Sequence, residues 1–384
     1  MNSNSLYAVS AFNKVHDSSN VDHAIKQINL SGNHYVMGQQ HGFQVRELRP
    51  HILDAIDTRL DTLAKVKVDV QPFITEISAM WDDLARPTMD MLRGIADSLS
   101  LDWEILHRYT LASYVLALLQ NPNNDTQGCS TWAASGHTTR QGVPILAKNR
   151  DYWPNHQRLQ CLVQARPIDK YAYLYMTSAG SPGIFSSGMN ELGLVVADTH
   201  VASRDIGPGL PRFAIMMELL ESYNSVQSAL SYLKGMRHIG NGTMTLLDAS
   251  GEMAVFETGY SYSGIVRPDE GYVVSTNHFV TPHLEGFHIE RGPKAIRGNS
   301  RARYAKIRQN LGVAQGEVDL AWAQNIMTSH GSPMEALCRH HPVNPPYATT
   351  ISSAIYLPRE CEVYLTNGIP CQTEFRRFKL TRLN

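Results

Sequence analysis

Gly128-Cys129-Ser130-Thr131 follows the polar run Asn121-Pro-Asn-Asn-Asp-Thr-Gln127 and opens a series of short apolar stretches. The run before it is a cluster of chain breakers and reads as an exposed loop. A cysteine placed directly after a glycine at such a junction has a specific use. Its thiol can attack the preceding carbonyl to give a thioester, and water then releases the upstream chain. Glycine suits the scissile position because it lacks a Cβ and tolerates strained backbone. Cleavage leaves Cys129 with a free α-amino group whose ordinary pKa is about 7.7–8.0, which fits a general base at neutral pH. A nucleophile served by its own N-terminal amine is a known activation route. Taken alone, Gly-Cys is more often a small buried cysteine at a strand start.

The neighbouring sequence shifts that balance. Residues 130–135 and 143–148 alternate as two strands with Gln141-Gly142 at the turn, so the hairpin returns Lys148-Asn149-Arg150-Asp151-Tyr152 towards Cys129. A carboxylate there can hold an α-ammonium, and a cation can lower a thiol pKa. An exposed Arg/Asp pair on a turn is the plainer alternative, worth little energetically.

Upstream, residues 24–30 read as a short strand, and Gly32, Gly38 and Gly42 read as a glycine-punctuated turn into a helix over 44–66. Further helices are expected over 70–99, broken near Pro87, and over 102–119, with Asp102 as N-cap and Glu104 in the first turn. Residues 1–20 are polar and read as loose. Downstream, strands are expected at 160–165, 172–177, 184–187, 194–198, 244–247, 253–257, 271–275, 350–356 and 362–366, and helices at 214–233, 300–311 and 318–328. Strands interleaved with helical blocks imply an α+β layered architecture.

Composition narrows the class. The 384 residues are 43% hydrophobic and 18% charged, and the formal net charge is −1. No global field favours nucleic acid or an anionic membrane surface. No run approaches the length of a membrane span, and neither end reads as a secretory signal or a peroxisomal address. The five cysteines are odd in number and irregularly spaced, which argues against a disulfide framework, and no Cys-x-x-Cys pair suggests structural zinc. A reducing cytoplasm, which keeps a nucleophilic thiol free, is the expected compartment.

Several segments in order carry a family resemblance. They are Gly128-Cys129-Ser130-Thr131, Asn149-Arg150-Asp151, Gly188-Met189-Asn190-Glu191-Leu192-Gly193-Leu194, Asp248-Ala249-Ser250-Gly251 with Glu257, Thr276-Asn277-His278-Phe279, Ser300-Arg301-Ala302-Arg303 and Cys338-Arg339-His340. Leu92-Arg93-Gly94-Ile95-Ala96 and Gly368-Ile-Pro-Cys371 belong with them. The chain resembles the acyl-coenzyme A:6-aminopenicillanate (isopenicillin N) acyltransferase family, the C45 peptidases. It is more distantly similar to choloylglycine hydrolases, penicillin V acylases and acid ceramidase.

The resemblance implies an Ntn-hydrolase αββα sandwich, with residues 1–128 as a helical pro-segment or α chain and 129–384 as the catalytic β chain. It implies Cys129 as nucleophile in self-cleavage at Gly128/Cys129 and in turnover, Asp151 orienting its α-amino group, and Asn277 donating to an oxyanion. Arg150, Arg339, Thr350 and His278 are candidates to stabilise the site, the two arginines also to bind a substrate carboxylate. His278, His340 and His341 read as satisfied polar histidines, and no metal or other cofactor is expected. No nucleotide-binding motif supports coenzyme A. Thr243 stands where the family usually carries a different polar residue.

The implied activity is acyl transfer from an amide through a Cys129 thioester, to water or to an amine. Hydrolysis of a small N-acyl amide or acyl-amino acid is preferred, with an acyl thioester, an amine acceptor and a homo-oligomer left open as partners. Two other classes compete: a cysteine peptidase with His278 as base, and a non-catalytic binding protein that keeps the fold.

Overall fold

The computed structural model describes residues 24–65, 69–118, 128–290, 297–340 and 349–380. The expected loose residues 1–20, most of the 121–128 loop and His341 lie outside them. Two sheets organise the chain. One has eight strands in the order β1 (Lys26–Gly32), β4 (Gln160–Pro167), β5 (Tyr173–Ser178), β6 (Ser187–Asn190), β7 (Val195–His200), β8 (Gly242–Leu247), β9 (Met253–Thr258) and β10 (Ser263–Val266). The other has six, in the order β11 (Tyr272–Ser275), β2 (Gly128–Gly136), β3 (Gly142–Tyr152), β12 (Thr349–Leu357), β13 (Glu362–Asn367) and β14 (Arg376–Lys379).

Period-two alternation sorts each strand's side chains to opposite faces. Ala133 and Leu146 of the second sheet meet Leu162, Leu174, Val195 and Leu247 of the first in an apolar inter-sheet core. Trp132, Ile145 and Ala147 face the other way, onto Ile307 and Leu311 of α9 (Asn299–Val313) and Ala323 and Met327 of α10 (Leu320–Met327). The outer face of the eight-stranded sheet carries α1 (His34–Gln44), α2 (Arg49–Ala64), α3 (Gln71–Leu84), α4 (Arg86–Leu99), α5 (Trp103–Leu118), α6 (Arg212–Ser222) and α7 (Val226–Gly235). The layers are therefore αββα, as expected. A short helix, α8 (Pro282–Glu285), sits between β11 and α9.

The segment upstream of Cys129 is built into this frame. β1 runs parallel to β4 over seven residue pairs, from Lys26↔Cys161 to Gly32↔Pro167. Trp81 donates from Nε1 to Gly209 O at 3.1 Å, and the Gly180 N–H donates to His41 Nε2 at 3.0 Å.

Three local readings change. Gly38 and Gly42 do not sit in a turn; they lie inside α1, which crosses α4 at backbone contact. A Cβ on Gly38 would overlap the Met91 carbonyl, and one on Gly94 would overlap that of Tyr35. The glycines mark helix-on-helix approach, which composition alone does not separate from a turn. The helix over 214–233 is two helices, with Ser225 as N-cap of the second, accepting from Ser228 N. The strand at 184–187 begins at Ser187, and β10 and β14 carry no alternating apolar signal. The Pro87 break falls at Ala85, and Asp102 caps α5 by accepting from Glu104 N at 2.7 Å. Among the described residues, no helix is long and apolar enough to cross a membrane.

Candidate active site

The β2–β3 hairpin sets the register. Gly136 opposes Gly142, residues 137–141 connect the strands, and the register shifts between Ala134 and Gly136. At the entry to β3, Arg140 O accepts from Val143 N at 3.3 Å, with Gln141 and Gly142 both at positive φ (57° and 66°). Gly128 then pairs with Asp151, Cys129 with Arg150 and Thr131 with Lys148. Directly opposed residues project to the same face. Cys129, Arg150 and Lys148 therefore point between the sheets, and Asp151 and Asn149 point towards α10.

On the inter-sheet side, charges are buried. The fully buried Lys148 ammonium bonds Asp198 Oδ1 at 2.8 Å and also the Asp198 carbonyl. Arg212 reaches the other carboxylate oxygen at 3.6 Å and holds Asn241 Oδ1 at 2.9 Å. Arg150 is 8% exposed; its Nη2 donates to Ser178 Oγ at 3.2 Å. Its Nη1 has no hydrogen-bond partner among the described residues, and no described carboxylate forms an ion pair with it. His156 Nε2 shares Ser178 Oγ at 2.7 Å. Burial pushes the Cys129 thiol above its ordinary pKa, with Lys148 acting in the opposite direction.

On the backbone side, Cys129 N donates to Asn277 Oδ1 at 3.1 Å, just beyond β11. Arg303, nearly inaccessible on α9, gathers the same group. Its Nη1 donates to Cys129 O at 2.6 Å and Ser130 Oγ at 2.8 Å, and its Nη2 to Asn277 Oδ1 at 2.7 Å. Asn299, one turn earlier, accepts from Arg303 Nε at 2.8 Å. Asn277 Nδ2 donates to His200 O at 2.8 Å, which occupies one of its two N–H groups.

Asp151 is held on the other side of the strand. Thr350 Oγ1 donates to Oδ1 at 2.6 Å and Arg339 Nη1 to Oδ2 at 3.2 Å, an ion pair with both side chains buried. Gly128 packs directly on this pair: a Cβ there would sit 2.5 Å from Asp151 Oδ2 and overlap Arg339 Nη1. Gly128 does not adopt a positive φ. Steric contact with the ion pair, and not backbone strain, is what requires glycine here.

The fold thus brings Gly128, Cys129, Arg150, Asp151, Asn277, Arg339 and Thr350 together. It places His278 elsewhere: its Nδ1 faces Ser300 Oγ at 2.8 Å and Thr276 Oγ1 at 3.1 Å, and burial lowers its pKa to about 3. His340 faces His330 and Cys371. Asn149 pins the end of α10 through Met327 O and Leu337 O, at 2.8 and 2.9 Å. Arg303, Lys148 and Asp198 were not singled out from sequence. The alternation of Lys148 with Arg150, and the four-residue spacing of Asn299 and Arg303, are the signals that could have found them.

Residues 138–371 match the sequence family "Acyl-coenzyme A:6-aminopenicillanic acid acyl-transferase". The chain belongs to this family. The acyl-transferase match spans most of the chain and includes Asp151, Asn277, Arg303, Arg339 and Thr350; it begins downstream of Cys129. Among curated proteins, none matches. Among solved structures, the chain is similar to a single-residue variant of conjugated bile acid hydrolase from Clostridium perfringens, at 16% identity and a TM-score of 0.44. That likeness covers 67% of this chain and 99% of the other. Penicillin V acylase from Agrobacterium tumefaciens is similar at 15% identity and a TM-score of 0.34, over 62% and 82% of the two chains. Membership of the acyl-transferase family makes this chain an enzyme of the amide hydrolase or acyltransferase class.

Proposed function

We propose that the chain cuts itself between Gly128 and Cys129 and then works as an N-terminal-cysteine amidohydrolase or acyltransferase. In the first step Cys129 Sγ bonds to the Gly128 carbonyl carbon. The Gly128–Cys129 C–N bond breaks, and the thiol proton passes to the departing nitrogen. Water hydrolyses the thioester, freeing the Gly128 carboxylate and the Cys129 thiol and amine.

In turnover the same sulfur attacks a substrate amide carbonyl while the α-amino group takes its proton and returns it to the leaving amine. Water or an amine then accepts the acyl group. The observation that carries this reading is the clamp on the Cys129 backbone: Asn277 Oδ1 accepts from its nitrogen while Arg303 holds both its carbonyl and that Oδ1. After the cut the new amine would remain against a fixed acceptor, beside its own thiol. The second Asn277 N–H is left for an oxyanion, and Asp151 braces the strand at the scissile residue.

The two pieces would stay together as α and β chains, because β1 is paired in the eight-stranded sheet and α1–α5 share one core with it. The unmatched Arg150 Nη1 favours a substrate with a carboxylate near the scissile amide, such as an N-acyl amino acid. A reducing compartment such as the cytoplasm would keep the thiol free.

Denaturing intact-mass analysis of wild type beside Cys129→Ala tests the reading. It expects two wild-type fragments meeting at Gly128/Cys129 and one uncut mutant chain. A single full-length wild-type mass, or a cut Cys129→Ala chain, would overturn it.

A further inference from the structure

Away from the Cys129 site, His330, Cys338, His340 and Cys371 bring four ligand atoms within 4.8 Å of one another. They come from the stretch between α10 and β12 and from the turn after β13. His330 Nε2 and His340 Nε2 face each other at 3.1 Å, and Cys371 Sγ lies 3.3 Å from the same His340 nitrogen. The cysteines are not joined to each other.

We propose that these four side chains form a tetrahedral zinc site that fixes the segment carrying Arg339. The ligand set decides the metal class: two thiolates and two imidazoles suit a tetrahedral, borderline-soft ion. Tetrahedral bonds to nitrogen and sulfur set ligand-to-ligand edges of roughly 3.3–3.8 Å, so a small relaxation of the observed spacing admits the ion. Binding releases the two thiol protons to solvent. A divalent ion with two thiolates and two neutral imidazoles is then a neutral centre, which suits the burial of Cys338 and His340. Cys371 is exposed and gives the ion a way in.

The placement gives the site a purpose. Cys338 and His340 flank Arg339, whose guanidinium holds Asp151 against Gly128. Arg339 is tied by its backbone to Thr350 in both directions, at 2.8 and 2.7 Å. A metal joining that segment to Cys371 would fix Arg339 from behind, by linking it to a turn more than thirty residues later.

The test uses the full-length chain, dialysed with zinc, desalted and assayed for bound metal. Wild type and Cys129→Ala should each retain about one zinc ion per chain, and Cys338→Ser/Cys371→Ser about tenfold less. Cobalt loading of wild type should give a thiolate-to-cobalt charge-transfer band and the intense visible bands of tetrahedral cobalt. This readout does not depend on any variant folding. Wild type that retains no zinc and gives no such bands would overturn the proposal. So would a double variant that binds like wild type, or a non-reduced mass two hydrogens lighter with Cys338 and Cys371 joined.

Discussion

Replacing Gly128 by Ala inserts a single methyl group where the chain rests on a buried ion pair. The new carbon would start 2.5 Å from Asp151 Oδ2, when real contacts do not fall below 3.0 Å, and would also overlap Arg339 Nη1. Neither partner can swing into solvent: the Asp151 and Arg339 side chains are 1% and 6% exposed, and Thr350 fixes the other carboxylate oxygen at 2.6 Å. The pair must bend by about half an ångström or more, an overpacking cost of roughly 1–3 kcal/mol. Complete rupture would cost about 3–5 kcal/mol, so bending is the cheaper response. Thermal unfolding of uncut Gly128→Ala/Cys129→Ala against Cys129→Ala should show a loss of a few degrees. In the Cys129 background the displaced carbonyl is the one the proposed self-cleavage attacks, so a shift of that size should slow the cut about 10–100-fold, followed by intact mass over time. Arg339→Ala is itself destabilising, but in that background Gly128→Ala should cost less, giving a coupling of about 1 kcal/mol or more. Equal melting temperatures and equal cleavage rates for chains with and without the Gly128→Ala substitution would refute the contact argument.

Arg150→Gln should lower kcat/KM for N-acyl amino acids about 10–100-fold and leave neutral amide analogues nearly unchanged, because only the former use the charged fork; equal losses for both would remove Arg150 from substrate recognition. His41 is buried with its pKa lowered to about 4. As pH falls, the unfolded chain takes up this proton near 6.5 and the folded chain does not until about 4, so the stability His41 contributes is present above 6.5 and lost across that window. At pH 5 the loss is about 2 kcal/mol relative to pH 7, and urea unfolding of uncut chains should show His41→Gln losing that much less than wild type on acidification. His278→Ala should still self-cleave, since that ring faces Thr276 and Ser300; an uncut His278→Ala chain that remains folded would instead favour a Cys-His mechanism.

What sequence revealed of the site was what its local geometry determines. A turn signal at Gln141-Gly142 between two alternating stretches implies a hairpin that brings the 148–151 cluster back towards Cys129, so the hairpin half was legible. Its register was not, because residues 137–141 join the strands and the pairing shifts between Ala134 and Gly136. Arg303 was not, because it approaches from a helix 174 residues away and its motif holds two arginines that only helical phase separates. Asn277 was legible through its motif, but its acceptor contact with Cys129 N was not, since an amide offers both a donor and an acceptor and only the fold shows its oxygen facing that nitrogen. The four-ligand cluster was hidden for a similar reason. Its members have no Cys-x-x-Cys spacing and meet because β13 delivers Cys371 back to the entry of β12. In the fold, the α1 glycines misled because close helix crossing and turn formation make the same demand on composition.

In the mechanism proposed for Cys129, the arrangement around it would separate two jobs that a cysteine nucleophile must combine. The pleat of β2 sends its thiol towards the buried cations Lys148 and Arg150 and leaves its nitrogen and carbonyl to Asn277 and Arg303. In the uncut chain the nitrogen is an amide and cannot take a proton, and burial holds the thiol in its neutral form. Both limits belong to the same residue, and the proposed bond change would lift the first without moving the second. Under the proposed cut, loss of the peptide bond to Gly128 would create the base within the nucleophile's own residue and against an acceptor already in place. The proposed cut would therefore need no rearrangement of the sheets to convert a strand residue into a catalytic one, since Gly128 and Cys129 are already paired with Asp151 and Arg150.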